Sequence, residues 1–157
     1  MPNHYTTIAI CTPGHEFNVA EFNERHKETC LCSVVMPMPE AVEQVPSTLY
    51  PDGTKEKDRL GVSQDWCDWA RDNWGTKWGT YDAEAFELGG DGSPILIKFQ
   101  SAWCAPKILS RIAEWLKRTF AFEQVSFVGF NPYDDSLELM AHDHCVKQLN
   151  DVGGRVN

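Results

Sequence analysis

The chain has 157 residues, 42% of them apolar and 11% aromatic, which is core material for a single domain and excludes a disordered tail. Its 23 acidic against 14 basic side chains leave a formal net charge of -9, and residues 1–61 (9 acids, 5 bases) and 62–157 (14 acids, 9 bases) are both acidic. So acidic a chain has no basic track for phosphates, so the expected partner is a protein with a basic surface rather than nucleic acid.

The opening Met1-Pro2-Asn3-His4-Tyr5 lacks the basic start and long apolar stretch of a secretory signal. No segment approaches the roughly 20 apolar residues of a membrane span. The expected compartment is therefore the cytoplasm, with Cys11, Cys30, Cys32, Cys67, Cys104 and Cys145 as reduced thiols. Cys30 and Cys32 are too close in sequence for a standard disulfide or a CxxC redox pair.

In chain order, Tyr5 to Cys11 is rich in β-branched residues and ends at Thr12-Pro13-Gly14, which predicts a first strand. Glu16 to Glu28 contains no Pro or Gly and separates apolar from charged positions, predicting a helix whose pattern Phe22 blurs. Leu31 to Met36, stopped by Pro37 and Pro39, reads as a short strand leaving the sheet. Glu40 to Gly61 turns polar, with Pro46, Pro51, Gly53 and the run Lys55-Glu56-Lys57-Asp58-Arg59, and reads as an exposed, mobile insertion. Ser63 is placed to cap a short helix ending at Asn73, with Gly75 closing it.

Ala83 to Leu88 and Ile95 to Ser101 flank Gly89-Gly90-Asp91-Gly92, a hairpin whose second strand buries Ile95, Ile97 and Phe99. Cys104-Ala105-Pro106 opens the strongest helix, running to Phe120 with Ile108, Ile112, Trp115 and Leu116 as its apolar stripe. Lys107, Arg111, Lys117 and Arg118 face outward. Gln124 to Phe130 returns as a strand, Leu137 to Met140 is a short edge strand, and residues 141–157 form a polar, frayed tail. With the second strand set at the periphery the order is βαββαβ. The predicted class is α+β, a ferredoxin-like split βαβ sheet with two helices on one face, spanning 1–140 with a Trp-rich insertion near 40–80.

Four stretches carry a resemblance: Met1-Pro2-Asn3-His4, Val35-Met36-Pro37-Met38-Pro39-Glu40, Asn73-Trp74-Gly75-Thr76-Lys77-Trp78 with Tyr81-Asp82, and Ser101-Ala102-Trp103 followed by Pro106. In this order they resemble the YubB-like family of phage and plasmid proteins, over roughly residues 1–140, with the tryptophan segment the most specific part. The resemblance implies a ferredoxin-like domain and a mobile-element origin, and no reaction, cofactor or catalytic residue. Gly79-Thr80 and Cys104 depart from the family pattern, which has an acid and a small residue at the first and Ser at the second.

Trp66, Trp69, Trp74 and Trp78 fall within one short segment beside Tyr81, and Asp65, Asp68, Asp72 and Asp82 surround them. If exposed, they form an aromatic anchor patch with an acidic rim, suited to a basic partner. If buried, the same rings cover one end of the sheet. His142, His144 and Cys145, like Cys30 and Cys32, are ligand types for zinc, but their spacing matches no standard finger or ribbon, so neither a metal nor another cofactor is expected. Asp82, Glu84 and Glu87 sit in a strand with a solvated face and give no paired-carboxylate signal. Absence of a nucleophile elbow or Walker loop points to a non-enzymatic protein.

The expected role is an accessory protein of a phage or mobile element that inhibits a host nucleic-acid-handling defence complex, as anti-CRISPR proteins do. An alternative is a single-stranded nucleic-acid-binding module that stacks bases on Phe127 and Phe130 of the last strand, or on Phe99 of the middle one. Phe127-Val128-Gly129-Phe130 only faintly matches an RNP-type run.

Overall fold

The computed structural model describes residues 4–89, 93–131, 136–141 and 144–148, with side-chain surroundings through residue 130. Four strands form one side of an antiparallel sheet: β1 (His4–Pro13), β2 (Thr80–Glu87), β3 (Ile95–Ala102) and β4 (Phe122–Asn131). β5 (Ser136–Ala141) and β6 (His144–Gln148) extend it, giving the order β2-β3-β1-β4-β5-β6. Six helices accompany them among the described residues: α1 (Val19–His26), α2 (Leu31–Val35), α3 (Glu40–Glu43), α4 (Glu56–Leu60), α5 (Trp66–Asn73) and α6 (Leu109–Phe120).

The central strands obey period-two alternation, so one face collects the core. Ala9 sits opposite Ile97 on one side and Phe127 on the other, and Tyr5, Thr7, Cys11, Ile95 and Phe99 point the same way. α6 lays Leu109, Ile112, Ala113 and Leu116 on this face, each 2% exposed or less. Such side chains contribute about 1.5–3 kcal/mol apiece on burial, which makes this layer the main source of stability. Phe99 and Phe127 are fully buried here, beneath the helices.

Local rules fix α1. Asn18 caps it by accepting the Glu21 amide at 2.9 Å, and Phe17 meets Phe22 across the first turn. Phe22, the residue that blurs the sequence pattern, is the buried one. On the side away from the core, Asn23 donates through Nδ2 to the Ala85 carbonyl (3.1 Å) and accepts the Ala85 amide at Oδ1 (2.6 Å). One side chain thus serves both backbone groups of Ala85 in β2, an edge strand.

Several expectations are corrected. The predicted strand at Leu31 to Met36 is helix α2: Leu31 with Val35 and Cys32 with Met36 are spaced i,i+4, so one turn of helix directs the first pair to the main core and the second to a smaller one. The insertion contains two short helices and a bridge between Leu49 and Lys55. A polar network holds it. The Tyr50 hydroxyl donates to Glu56, the Arg59 guanidinium lies 3.5 Å from the Tyr50 ring centre, and Arg59 pairs with Asp52 at 3.2 Å. Helix α5 is capped by Asp65 rather than Ser63, through a reciprocal box in which Asp65 accepts the Asp68 amide (2.8 Å) and Asp68 the Asp65 amide (3.2 Å). Gly75 closes it, as expected, with φ +80. The strongest helix begins at Leu109, with Pro106 buried in the loop before it. The strand at Leu137 to Met140 is not the edge, because β6 pairs with it from within the segment expected to fray. Of the hairpin connection, Gly90, Asp91 and Gly92 lie outside the described residues.

Candidate functional site: a tryptophan groove

α5 and the turn after it do not join the main core. They build a second one, in which Trp74 (4% exposed), Ala70, Cys32 and Ile108 are buried and Trp69, Met36 and Met38 pack alongside. Trp74 is fixed at both ends: its indole Nε1–H donates to the Met36 carbonyl at 2.9 Å, and its carbonyl accepts the Lys107 amide at 2.8 Å. Trp69 stands edge-on to it, with ring centres 5.3 Å apart. The buried reading holds for Trp74, and in part for Trp69.

Beside this core lies an open groove of about 460 Å³ lined by Ser33, Pro37, Met38, Glu43, Trp66, Trp74 and Trp78. Three indoles, a thioether and one carboxylate line it, with no cationic side chain. Trp78 is 37% exposed, with the Lys77 ammonium 5.2 Å from its ring centre. Its indole N–H faces the oxygen of half-buried Tyr81, whose hydroxyl also hydrogen-bonds His4 Nδ1. Burial raises the Tyr81 phenol above its ordinary value, Asp82 adds to this, and Trp78 opposes it.

The four aspartates part company. Asp65, 1% exposed, is consumed as the α5 cap, and Asp68 pairs with Lys57 at 2.6 Å and Arg71 at 3.3 Å. Both are structural anchors and are not free to form a rim. Asp72 is exposed and accepts from Gln64 Nε2 at 2.6 Å, while Asp82 is exposed with φ +54 at an irregularity in the β2–β3 register. The groove's own carboxylate, Glu43, lies in the insertion and has no sequence signal beyond its polarity.

Trp103 is a further exposed aromatic that the tryptophan segment does not contain. It is 51% exposed with φ +72, a conformation that costs a bulky residue energy. Because Thr80 pairs with Ser101, Trp103 leaves β3 at the end of the sheet where Trp78 enters β2. Its sequence signal was a place in the Ser101-Ala102-Trp103 stretch.

The open face of the sheet presents Ile8, Leu96, Lys98, Val128 and Phe130, all half-buried. Phe99 and Phe127 are on the opposite face, so they are not available for stacking bases. His142 lies outside the described residues, as do the side chains of His144 and Cys145. Among the described residues no three His, Cys, Asp or Glu side chains gather as metal ligands, and no helix is long and apolar enough to cross a membrane. Compared with known proteins, the chain matches no family model, no curated protein and no solved structure.

Proposed function

We propose that this chain is a non-enzymatic accessory protein of a phage or mobile element, of ferredoxin-like fold, that binds a basic protein surface and inhibits a host nucleic-acid-handling defence complex in the manner of anti-CRISPR proteins. Support for the fold reading is the antiparallel order β2-β3-β1-β4, with α1 following β1 and α6 linking β3 to β4. The groove carries the binding reading. Trp66 and Trp78 offer aromatic faces above buried Trp74, and Glu43 a carboxylate, a combination that attracts Lys or Arg side chains through cation–π and ionic contacts together. Net charge of -9 adds long-range attraction to any basic surface. The alternative of single-stranded nucleic-acid binding is weakened by burial of Phe99 and Phe127.

The test is affinity purification from lysate of a bacterial host with intact defence systems, using the wild type, Trp78→Ala and Glu43→Lys. Expected is a specific protein retained by the wild type, released as salt is raised, and held at least about tenfold more weakly by either variant, as for loss of a contact worth about 1.4 kcal/mol. A gel-shift with mixed short RNA and DNA should show no complex. Equal retention by all three folded proteins, or a nucleic-acid shift insensitive to the variants, overturns the proposal.

A further inference from the structure

Hydrogen bonds to backbone groups hold the tryptophan groove in shape from separate parts of the chain. Trp74 is its buried floor, with its indole N–H and its carbonyl both already bonded. The amide of half-buried Trp66 donates at 3.2 Å to the carbonyl of buried Val45, which ties the start of α5 to the segment carrying Glu43. Beside Trp78 the turn is closed by buried Thr76, whose Oγ1 accepts the Gly79 amide at 3.0 Å. Gly79, with φ +79, packs its bare Cα onto the floor: a Cβ there would stand 3.2 Å from the Trp74 ring and 2.6 Å from Cys30 Sγ. The lining is thus set before a ligand arrives, which lowers the cost of ordering on binding.

This lining is rich in aromatic faces and poor in acceptors. Trp66, Trp74, Trp78, Met38 and Pro37 give it apolar and π surface, indole N–H groups only donate, and its side-chain oxygens are those of Ser33 and Glu43. Glu43 is exposed, and its carboxylate makes no hydrogen bond or ion pair among the described residues. Lys77, whose ammonium lies over Trp78, does not line the groove. A cation therefore meets charge and π density here but few partners for N–H groups. A guanidinium carries five such donors and a primary ammonium three, and each one left without an acceptor gives up its water uncompensated. A trimethylammonium carries none. Its charge is spread over methyl groups, so aromatic faces and one carboxylate satisfy it.

Resting on the reading of this groove as a cation site, we propose that its preferred occupant is a trimethylated lysine side chain of a basic partner protein, with the trimethylammonium group against Trp66 and Trp78 above Trp74 and with Glu43 as its counter-ion. The groove is open, so the side chain enters while its main chain stays outside and neighbouring residues meet the surrounding surface. A free headgroup of the choline class would gain nothing from that openness.

The experiment titrates the isotope-labelled full-length chain with Nα-acetyl-trimethyllysine amide, the matching lysine and arginine amides, the uncharged analogue with carbon in place of the quaternary nitrogen, and choline, following the indole N–H signals by NMR. Expected are shifts of the Trp66 and Trp78 signals with trimethyllysine amide, at a Kd at least about fivefold below those of the other four probes. Glu43→Gln, at an exposed position, should weaken this binding at least about threefold. Trp78→Leu, which keeps apolar area and loses the ring, should abolish the preference over the uncharged analogue. If the leucine variant fails to fold, the wild-type series and Glu43→Gln decide. Lysine or arginine amide bound as tightly as trimethyllysine amide overturns the proposal while leaving the groove a cation site. Equal binding of the uncharged analogue, tighter binding of choline, or no shift with any probe also overturns it. No partner protein enters the titration, so its outcome is separate from that of the affinity purification.

Discussion

Thr7 occupies a core position of β1, opposite Phe99 and Gly129, and is wholly buried. Its Oγ1 is the one buried side-chain oxygen or nitrogen, among the described residues, that has no hydrogen-bond partner. A hydroxyl dehydrated without compensation costs free energy, whereas valine has the same shape with a methyl in its place. Thr7→Val is expected to stabilise the chain by about 1 kcal/mol, read as a higher urea midpoint at unchanged slope. A lower midpoint would mean that the hydroxyl is satisfied in solution. Thr80, by contrast, is buried and paired, accepting the Leu31 amide at 2.7 Å.

Between elements, Asp68 joins the insertion to the tryptophan helix. It completes the α5 capping box and binds Lys57 of α4. The Lys57 ammonium holds the Asp68 carboxyl down to about 2 from its ordinary 3.8, with the Asp65 amide assisting against burial. Since the folded value is the lower one, the stability it supplies is fully present above 3.8 and is lost as pH falls toward about 2. Asp68→Asn should therefore melt below the wild type at neutral pH, and the gap should close across that acid window in a thermal scan. A constant gap would assign the loss to capping alone. This junction also marks where sequence reading ran out. β1, the β2–β3 hairpin, α6 and β4 were legible because each carries its own periodicity, with the inward face of β3 named residue by residue. α2 was not, since five residues hold too little pattern to separate one helical turn from a strand. The cap moved from Ser63 to Asp65 because two serviceable capping residues stood near each other and only Asp65 has Asp68 three residues on. As for the site, the tryptophans were visible as a cluster, but which rings face water depends on packing by α2, the Met36–Met38 bend and the loop before α6. The meeting of Cys30 with Gly79 is likewise a contact between distant segments, invisible to any local window.

At the scale of the molecule, the sheet has two ends, and the structure deals with one of them by a single side chain. Asn23 presents to Ala85 the donor and acceptor that a neighbouring strand would present. It behaves as a one-residue strand, and its consequence concerns what the chain does in a crowded solution with copies of itself. Without it, an unpaired amide and carbonyl on β2 become a template for another molecule's backbone, and assembly turns into a question of concentration. Asn23→Ala should elute progressively earlier in size-exclusion chromatography as loading is increased, while Asn23→Lys, which restores no hydrogen bond but places a charge at the edge, should not. Identical, concentration-independent elution of the wild type and Asn23→Ala would mean that the remainder of the edge is protection enough. Residues near Asn23 are therefore free to vary only so far as this edge of the sheet stays closed to a second copy of the chain.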